Sequence, residues 1–192
     1  MSDFFALLSR MKNIERWSLM RSNLKENVLE HSAIVGFISH SLGEINNVVF
    51  GGNIDSNLLV TLALFHECSE VLTGDLPTPI KYYNKSINTA YKELESLANK
   101  KLIGSLPSEF RDDYDNILNY PKDNYEYKLV KSADKISAYI KASEEVKSGN
   151  NEFFNAKETL FKAINNIDLP EVKYFIENFL PSYLKDLDNI TL

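Results

Sequence analysis

This 192-residue chain has little of several features that would place it in a specialised class. Its one cysteine, Cys68, excludes an intrachain disulfide framework. Lys and Arg are outnumbered by Asp and Glu, 21 against 27, and the net charge of -6 argues against a surface built to grip nucleic-acid backbone. A single nucleotide can still bind locally. We therefore expect no nucleic-acid polymer as a partner.

Long apolar runs are also missing. No stretch approaches the 18 or more apolar residues that a membrane span needs, so we expect no membrane partner. The first residues, Met1 to Phe5, lack the basic region and the long apolar stretch of a signal peptide. These observations predict a cytoplasmic protein.

Helical patterns, in contrast, fill the chain, and no alternating strand pattern holds for long. The predicted helices begin at a capping Asp3, at Asn27, at Asp55 or Ser56, near Ser86, at Tyr127, at Phe153 and at Pro170, with one short helix between Glu109 and Tyr125. With 44% hydrophobic residues the chain can fill one core. We predict an all-α fold in a single domain spanning residues 1–192.

The candidate site centres on residues 62–79. An apolar run, predicted as one helix from residue 55 or 56 to Gly74, carries three ionisable side chains, His66, Glu67 and Glu70. Residues three or four apart share a helix face, so these three span one arc. Burying a carboxylate without a partner costs several kcal/mol. Two carboxylates beside a His on a core helix therefore indicate a cation, a proton or water.

Two further side chains can join this arc. His31 follows the capping arrangement Asn27-x-x-Glu30 and shares a predicted core face with Ile34, whereas His40 points to the opposite side. A lone His on an apolar face is more often a hydrogen-bonded core residue than a ligand. Asp134 lies at the edge of the apolar stripe of the helix from Tyr127 to Lys147, where partial burial is expected.

Several chemistries can be weighed on these residues. His66-Glu67-x-x-Glu70 lacks the second His that a zinc-protease helix needs, which excludes that class. Cys68 has no adjacent positive charge to lower the pKa of its thiol, so a packed core thiol is favoured over a nucleophile. The remaining set, two imidazoles and two carboxylates on three helices, can hold one divalent transition metal with open water positions: His31, His66, Glu67 and Asp134.

Arg16 and Trp17 form an unusual pair at the end of the first helical segment. An Arg beside a Trp is often only a surface guanidinium stacked on a ring. If a phosphate site lies nearby, Arg16 is a candidate phosphate-binding residue, because the planar guanidinium can bind phosphate oxygens.

Together these motifs resemble the HD-domain phosphohydrolases, and within them the bacterial 5'-deoxynucleotidases. The resemblance runs nearly end to end and rests on Arg16-Trp17, Asn27-Val28-x-Glu30-His31-Ser32, Phe50-Gly51-Gly52-Asn53, the run from His66-Glu67-x-Ser69-Glu70 to Pro79, Ser132-Ala133-Asp134 and the turn from Gly149 to Phe153. It implies an HD-domain helical bundle, usually a homodimer. It also implies hydrolysis of deoxyribonucleoside 5'-monophosphates to deoxynucleoside and phosphate.

The resemblance also implies roles for individual residues. It makes His31, His66, Glu67 and Asp134 ligands of one divalent transition metal such as cobalt or manganese, with Glu67 standing where the family has aspartate. Glu70 handles protons and Arg16 orients the phosphate. The nucleotide contacts Arg16, the metal ligands His31, Glu67 and Asp134, and a wall formed by Trp17, Asp75, Leu76, Pro77 and Thr78.

Two rival hypotheses remain. One is an HD-type hydrolase that acts on another nucleotide or phosphate ester, against which the intact Arg16-Trp17 and Asp75-Leu76-Pro77-Thr78 weigh. The other is a non-catalytic nucleotide-binding module, in which Glu67 records a decayed metal site. Glu70 argues against this second hypothesis, because a chain that had lost its metal site would not be expected to keep a buried acid that handles protons.

Overall fold

In the computed structural model, which describes residues 2–190, two helices begin at the capping residues that the sequence predicts. Asn27 and Glu30 form the predicted capping box, with the Glu30 amide donating to Asn27 Oδ1 at 2.9 Å. Asp55 caps the next helix by accepting from the amides of Asn57 and Leu58. Asp3, in contrast, makes no side-chain capping bond, so that prediction is wrong.

Ten α-helices occur within residues 2–190. They are α1 (Phe4–Leu8), α2 (Val28–Phe50), α3 (Ser56–Phe65), α4 (Glu70–Thr73), α5 (Thr78–Lys81), α6 (Lys85–Gly104), α7 (Arg111–Leu118), α8 (Tyr125–Lys147), α9 (Phe154–Asn165) and α10 (Pro170–Asn178). Short 3-10 turns cover Ser9–Asn13, Ser108–Phe110, Asn151–Phe153, Leu180–Leu184 and Leu187–Asn189. Over the same residues there is no strand, only an isolated antiparallel bridge between Glu15 and Asn27. The predicted all-α fold is confirmed.

The main core lies between α2, α3 and α8, with α9 and α10 packed against α8 and α2. Its centre contains fully buried aliphatic side chains from the three helices, among them Leu42, Leu59 and Ile136. A second cluster around Phe4, Cys68 and Leu102 packs the N-terminal segment against α6 and the turn after α3. The candidate site lies on side chains of α2, α8 and the residues that follow α3.

Some of the predicted apolar stripes are wrong in detail. Ile34 on α2 is 38% exposed, and Leu94 and Leu97 on α6 are about half exposed, whereas Ala98 and Leu102 are buried as expected. Phe37, at 73%, adds to the apolar surface of α2. Among the helices within residues 2–190, none combines the length and apolar character of a membrane span.

Candidate active site

Three parts of the fold bring the predicted metal ligands together. His31 lies in the first turns of α2, Asp134 lies on α8, and His66 and Glu67 directly follow α3. One donor atom from each of the four side chains lies within 4.8 Å of the other three. The sequence therefore identified a set of side chains that tertiary packing gathers at one point.

His31 is held from both sides of its ring. Its side chain is fully buried, with Nδ1 3.2 Å from Ser137 Oγ and Nε2 3.1 Å from Asp134 Oδ1. Ser137 lies one turn after Asp134 on α8, so a single helix face fixes both edges of the imidazole. Burial and the nearby Arg16 guanidinium lower the pKa of His31. The ring is thus held neutral, the state in which a histidine binds metal.

The predicted continuous helix from residue 55 or 56 to Gly74 is wrong, because α3 ends at Phe65. His66 to Ser69 form tight turns, in which the Cys68 amide donates to the Phe65 carbonyl at 3.1 Å. The His66 ring donates from Nδ1 to the Ala63 carbonyl at 2.6 Å and so takes an acceptor at the helix end. In a regular helix, adjacent side chains point about 100° apart. The break allows His66 and Glu67 to face the same centre.

His66 Nε2 is the atom that most clearly fits a metal. It is buried without a hydrogen-bond partner among residues 2–190, 3.4 Å from Glu67 Oε1 and 3.9 Å from Asp134 Oδ1. Since Nδ1 carries the proton that is donated to Ala63, Nε2 presents its lone pair to the cluster. A buried nitrogen lone pair facing two carboxylates is a costly arrangement unless a cation lies between them. The residues therefore fit a metal ion.

Lys131 balances the acidic charge of the cluster. It lies one turn before Asp134 on α8 and donates to Asp134 Oδ2. Burial alone raises the pKa of Asp134, but the charge of Lys131, the bond with His31 and the nearby His66 ring outweigh it and hold that pKa well below its usual value. Glu67 behaves similarly: burial opposes ionisation, and His66 and Lys131 lower its pKa. Both carboxylates are ionised and ready to coordinate.

Glu70 differs from the two ligand carboxylates. It is 6% exposed, and burial followed by the charges of Glu67 and Asp75 raises its pKa to about 10. Its carboxyl lies within hydrogen-bonding range of Glu67. At neutral pH Glu70 therefore carries a proton beside the cluster, which suits proton transfer rather than coordination.

Arg16 and Trp17 meet at one carboxylate oxygen that the sequence did not single out. Glu26 Oε2 accepts from Arg16 Nη1 at 2.6 Å and from Trp17 Nε1 at 3.3 Å. Trp17 adopts a left-handed φ of 60°, which a bulky side chain rarely does.

Lys131 and Ser137 were not identified from the sequence as residues of the site, although each lies three residues from Asp134 and so shares its helix face. Glu26, in a loop without periodicity, gave no such signal.

Asp75, which follows α4, lies near Arg16. Burial raises the pKa of Asp75, which is close enough to Arg16 for the guanidinium to oppose that rise. Leu76 and Pro77 are half-buried, and Thr78 is exposed at the start of α5. A cavity of about 550 Å³ opens on another side, lined by His66, Glu67, Lys81, Tyr127, Lys131 and residues of α6 and α7, and without Arg16, Trp17 or residues 75–78.

The class of protein follows from this fold and cluster together. The chain is similar to a solved HD-domain phosphohydrolase from Listeria innocua, with a TM-score of 0.84 and 28% identity over 96% of this chain and 90% of the other. A cyanophage S-2L HD phosphohydrolase, bound to dA and one catalytic Zn²⁺ ion, shares the fold with a TM-score of 0.64 and 17% identity, covering 92% of this chain and 96% of that one. The fold is that of the HD-domain phosphohydrolases.

The family can be stated more narrowly. A model described as 5'-deoxynucleotidase YfbR-like matches residues 3–183. A 5'-deoxynucleotidase of Vibrio vulnificus is 47% identical over 191 residues, which is 99% of this chain and 98% of the relative. This chain belongs to the YfbR-like 5'-deoxynucleotidase family of phosphoric monoester hydrolases.

Proposed function

We propose that this protein is a 5'-deoxynucleotidase that hydrolyses deoxyribonucleoside 5'-monophosphates with one divalent transition metal ion held by His31, His66, Glu67 and Asp134. The single observation that carries the proposal is the convergence of these four donors within 4.8 Å in a chain of this family. The proposed location is the cytoplasm.

The donor set supports a transition metal over calcium or magnesium. Two imidazole nitrogens with two carboxylate oxygens are the mixture that manganese, cobalt, zinc and similar ions accept, whereas calcium and magnesium prefer oxygen alone. The unpartnered His66 Nε2 and the neutral His31 ring supply the nitrogens, and the ionised Glu67 and Asp134 supply the oxygens. When bound, such an ion lowers the pKa of a coordinated water from about 15.7 towards neutrality and polarises the phosphoryl group.

The residues around the cluster bind the phosphate, transfer a proton and contact the nucleoside. Arg16 binds phosphate oxygens and offsets the negative charge that develops on them. Glu70, protonated beside Glu67, transfers its proton to the leaving 5'-oxygen, a role typically worth about 10²- to 10⁴-fold in rate. Trp17 and residues 75–78 form the wall that contacts the nucleoside, a role that the family resemblance implies and that the closeness of Asp75 to Arg16 supports.

The experiment that tests this function is a phosphate-release assay on deoxynucleoside and ribonucleoside 5'-monophosphates. We expect the purified protein to release phosphate from the deoxynucleotides, to lose this activity when a chelator removes the metal, and to regain it with manganese, cobalt or zinc. Elemental analysis of protein purified without added metal gives an independent measure of occupancy. Turnover that continues at the full rate after the chelator has emptied the site would contradict the proposal.

The second part of the proposal is that the protein forms a homodimer through the outer face of α2 and α3. Ile34 and Phe37 lie three residues apart on α2 and are 38% and 73% exposed. Leu64 on α3, 41% exposed, lies near Gly36 of α2, so both helices expose apolar side chains on this part of the molecule. Exposed apolar patches often mark protein–protein interaction sites. We propose that a second copy of the chain binds here, because the family resemblance implies a homodimer.

A further inference from the structure

The loop between α1 and α2 carries both Arg16 and Trp17, and its two ends are joined by backbone bonds. The Arg16 amide donates to the Glu26 carbonyl and the Val28 amide donates to the Ile14 carbonyl, both at 3.0 Å. This short pairing places the side chain of Glu26 beside those of Arg16 and Trp17. The three residues are thus neighbours in space although ten positions separate Arg16 from Glu26.

The carboxylate of Glu26 makes both side-chain bonds from one oxygen. Arg16 Nη1 lies 2.6 Å and Trp17 Nε1 3.3 Å from Glu26 Oε2, and the Arg16 and Glu26 side chains are 17% and 13% exposed. Among residues 2–190, Arg16 donates a side-chain hydrogen bond to Glu26 and to no other side chain. Its remaining N–H groups are therefore available to a ligand. A charge-assisted bond of this kind, largely withdrawn from water, fixes orientation as well as position.

The alternative partners of Arg16 explain why this bond matters for the site. The guanidinium lies close enough to Glu70 and Asp75 to act on the pKa of each carboxyl. Both of these carboxyls belong to the site itself. Pairing with Glu26 keeps Arg16 from closing onto Asp75 or Glu70 and leaves it free for an incoming anion.

The loop itself is anchored elsewhere, which separates the role of Glu26 from that of loop folding. Glu145 on α8 accepts from the amides of Asn23 and Leu24, both at 2.9 Å, and Asn150 donates to the Arg21 carbonyl at 2.6 Å. Trp17 also packs on Phe153, with ring centroids 5.2 Å apart. Removing the charge of Glu26 should therefore leave the loop in place.

We propose that Glu26 is a positioning residue that orients Arg16 towards the phosphate of the substrate and sets the indole of Trp17 against the nucleoside. The inference deepens the proposed function and rests on it for the identity of the anion. Glu26 acts through Arg16 and Trp17 and does not itself contact the substrate.

Glu26→Gln tests this role, because Gln keeps the shape of Glu and removes its charge. Glu15→Gln is the matched control: Glu15 adjoins Arg16 in the same paired segment, but its partner is the exposed Lys25. We expect Glu26→Gln to raise KM for deoxynucleoside monophosphates, and the inhibition constant of inorganic phosphate, by about tenfold, with a smaller effect on kcat. Inhibition by deoxyadenosine, which lacks the phosphate, should change less, and metal content should stay at the wild-type level.

Fluorescence supplies a readout that does not depend on turnover. Trp17 is the only tryptophan of the chain, so its emission reports the Glu26 contact directly. Glu26→Gln should shift the emission and its quenching by acrylamide, whereas Glu15→Gln should match wild type. Unchanged emission, or changed emission with KM and phosphate inhibition within about twofold of wild type, would overturn the positioning role.

Failure of the proposed function would look different. If wild-type protein hydrolyses no deoxynucleotide, the function is wrong, and titration with inorganic phosphate followed by Trp17 emission decides the inference alone. Weaker phosphate binding in Glu26→Gln than in Glu15→Gln would still support it, and equal binding would refute it.

Discussion

Glu67 stands at the position where the family resemblance implies aspartate. Its carboxylate reaches the cluster, with Oε1 3.4 Å from His66 Nε2, although its arm is longer by one methylene. The longer arm has one more rotatable bond to order on coordination. The turn at His66–Ser69 supplies the backbone position from which this longer side chain reaches the same centre.

Substitutions at Glu67 test this departure. Glu67→Asp keeps the charge and restores the usual ligand of the family, so we expect normal folding, retained activity and a changed metal affinity or preference. Glu67→Ala removes a ligand and should weaken metal binding by at least about tenfold, the lower end of what even outer partners of a metal site contribute. Metal titration with each variant, beside wild type, is the measurement. Wild-type metal binding and turnover in Glu67→Ala would exclude Glu67 as a ligand.

Glu70 is the second residue whose role can be separated by experiment. Because its carboxyl carries a proton beside Glu67 and lies outside the set of four donors, Glu70→Gln should leave metal content near wild type and lower kcat by at least about tenfold. His66→Ala is the contrasting variant and should lose metal and activity together. Elemental analysis with kinetics distinguishes the two. Loss of metal in both variants would show that Glu70 is itself a metal ligand.

At the scale of elements, the C-terminal part of α8 holds the loop that carries Arg16. Glu145 is fully buried, accepts from Lys141 Nζ at 2.6 Å, and also accepts from two loop amides and from Asn150. Burial opposes its ionisation, but these donors outweigh burial and lower the pKa of Glu145 to about 2. One helix therefore provides both Asp134, a proposed metal ligand, and the anchor of the loop that carries Arg16.

This anchor predicts a pH-dependent stability. A carboxyl whose pKa is lower in the folded state than its ordinary 4.5 stabilises the fold above that value, and the contribution is lost as pH falls towards about 2. Glu145→Gln should lower the free energy of unfolding by roughly 2–3 kcal/mol at pH 7, because it leaves Lys141 buried without its counter-charge. Urea unfolding should show that the gap to wild type narrows below about pH 4.5. A gap that is constant from pH 7 to pH 3.5 would contradict this account.

At the scale of the whole molecule, the apolar surface on α2 and α3 predicts the oligomeric state. Phe37→Asp places a charge at the centre of this surface and should convert the proposed dimer to a monomer without unfolding it. Leu97→Asp is the control, since Leu97 is 58% exposed on α6, away from this surface. Light scattering after size-exclusion chromatography measures both. If the dimer persists in Phe37→Asp and dissociates in Leu97→Asp, the interface lies on α6 and the proposed one is wrong.

The sequence by itself determined the helical class, the capping residues of α2 and α3 and the four clustered side chains that we propose as metal ligands. Caps and periodicity are local properties, so Asn27-x-x-Glu30 predicts the start of α2 without knowledge of the rest of the chain. The ligand set was recognisable because buried His, Glu and Asp side chains on apolar helices need partners. Single-domain folding over residues 1–192 remains a prediction from the same patterns.

Tertiary structure alone decided the break after Phe65, the exposure of Ile34, Leu94 and Leu97, and the pairing of Glu26 with Arg16 and Trp17. The break depends on the His66 ring donating to Ala63 and facing Asp134 on another helix, which helical periodicity does not encode. Exposure depends on which faces other helices cover. The Glu26 contacts join loop residues up to ten positions apart, where no repeating pattern exists, because the backbone pairing of Arg16 with Glu26 and the packing of the loop against α8 bring them together.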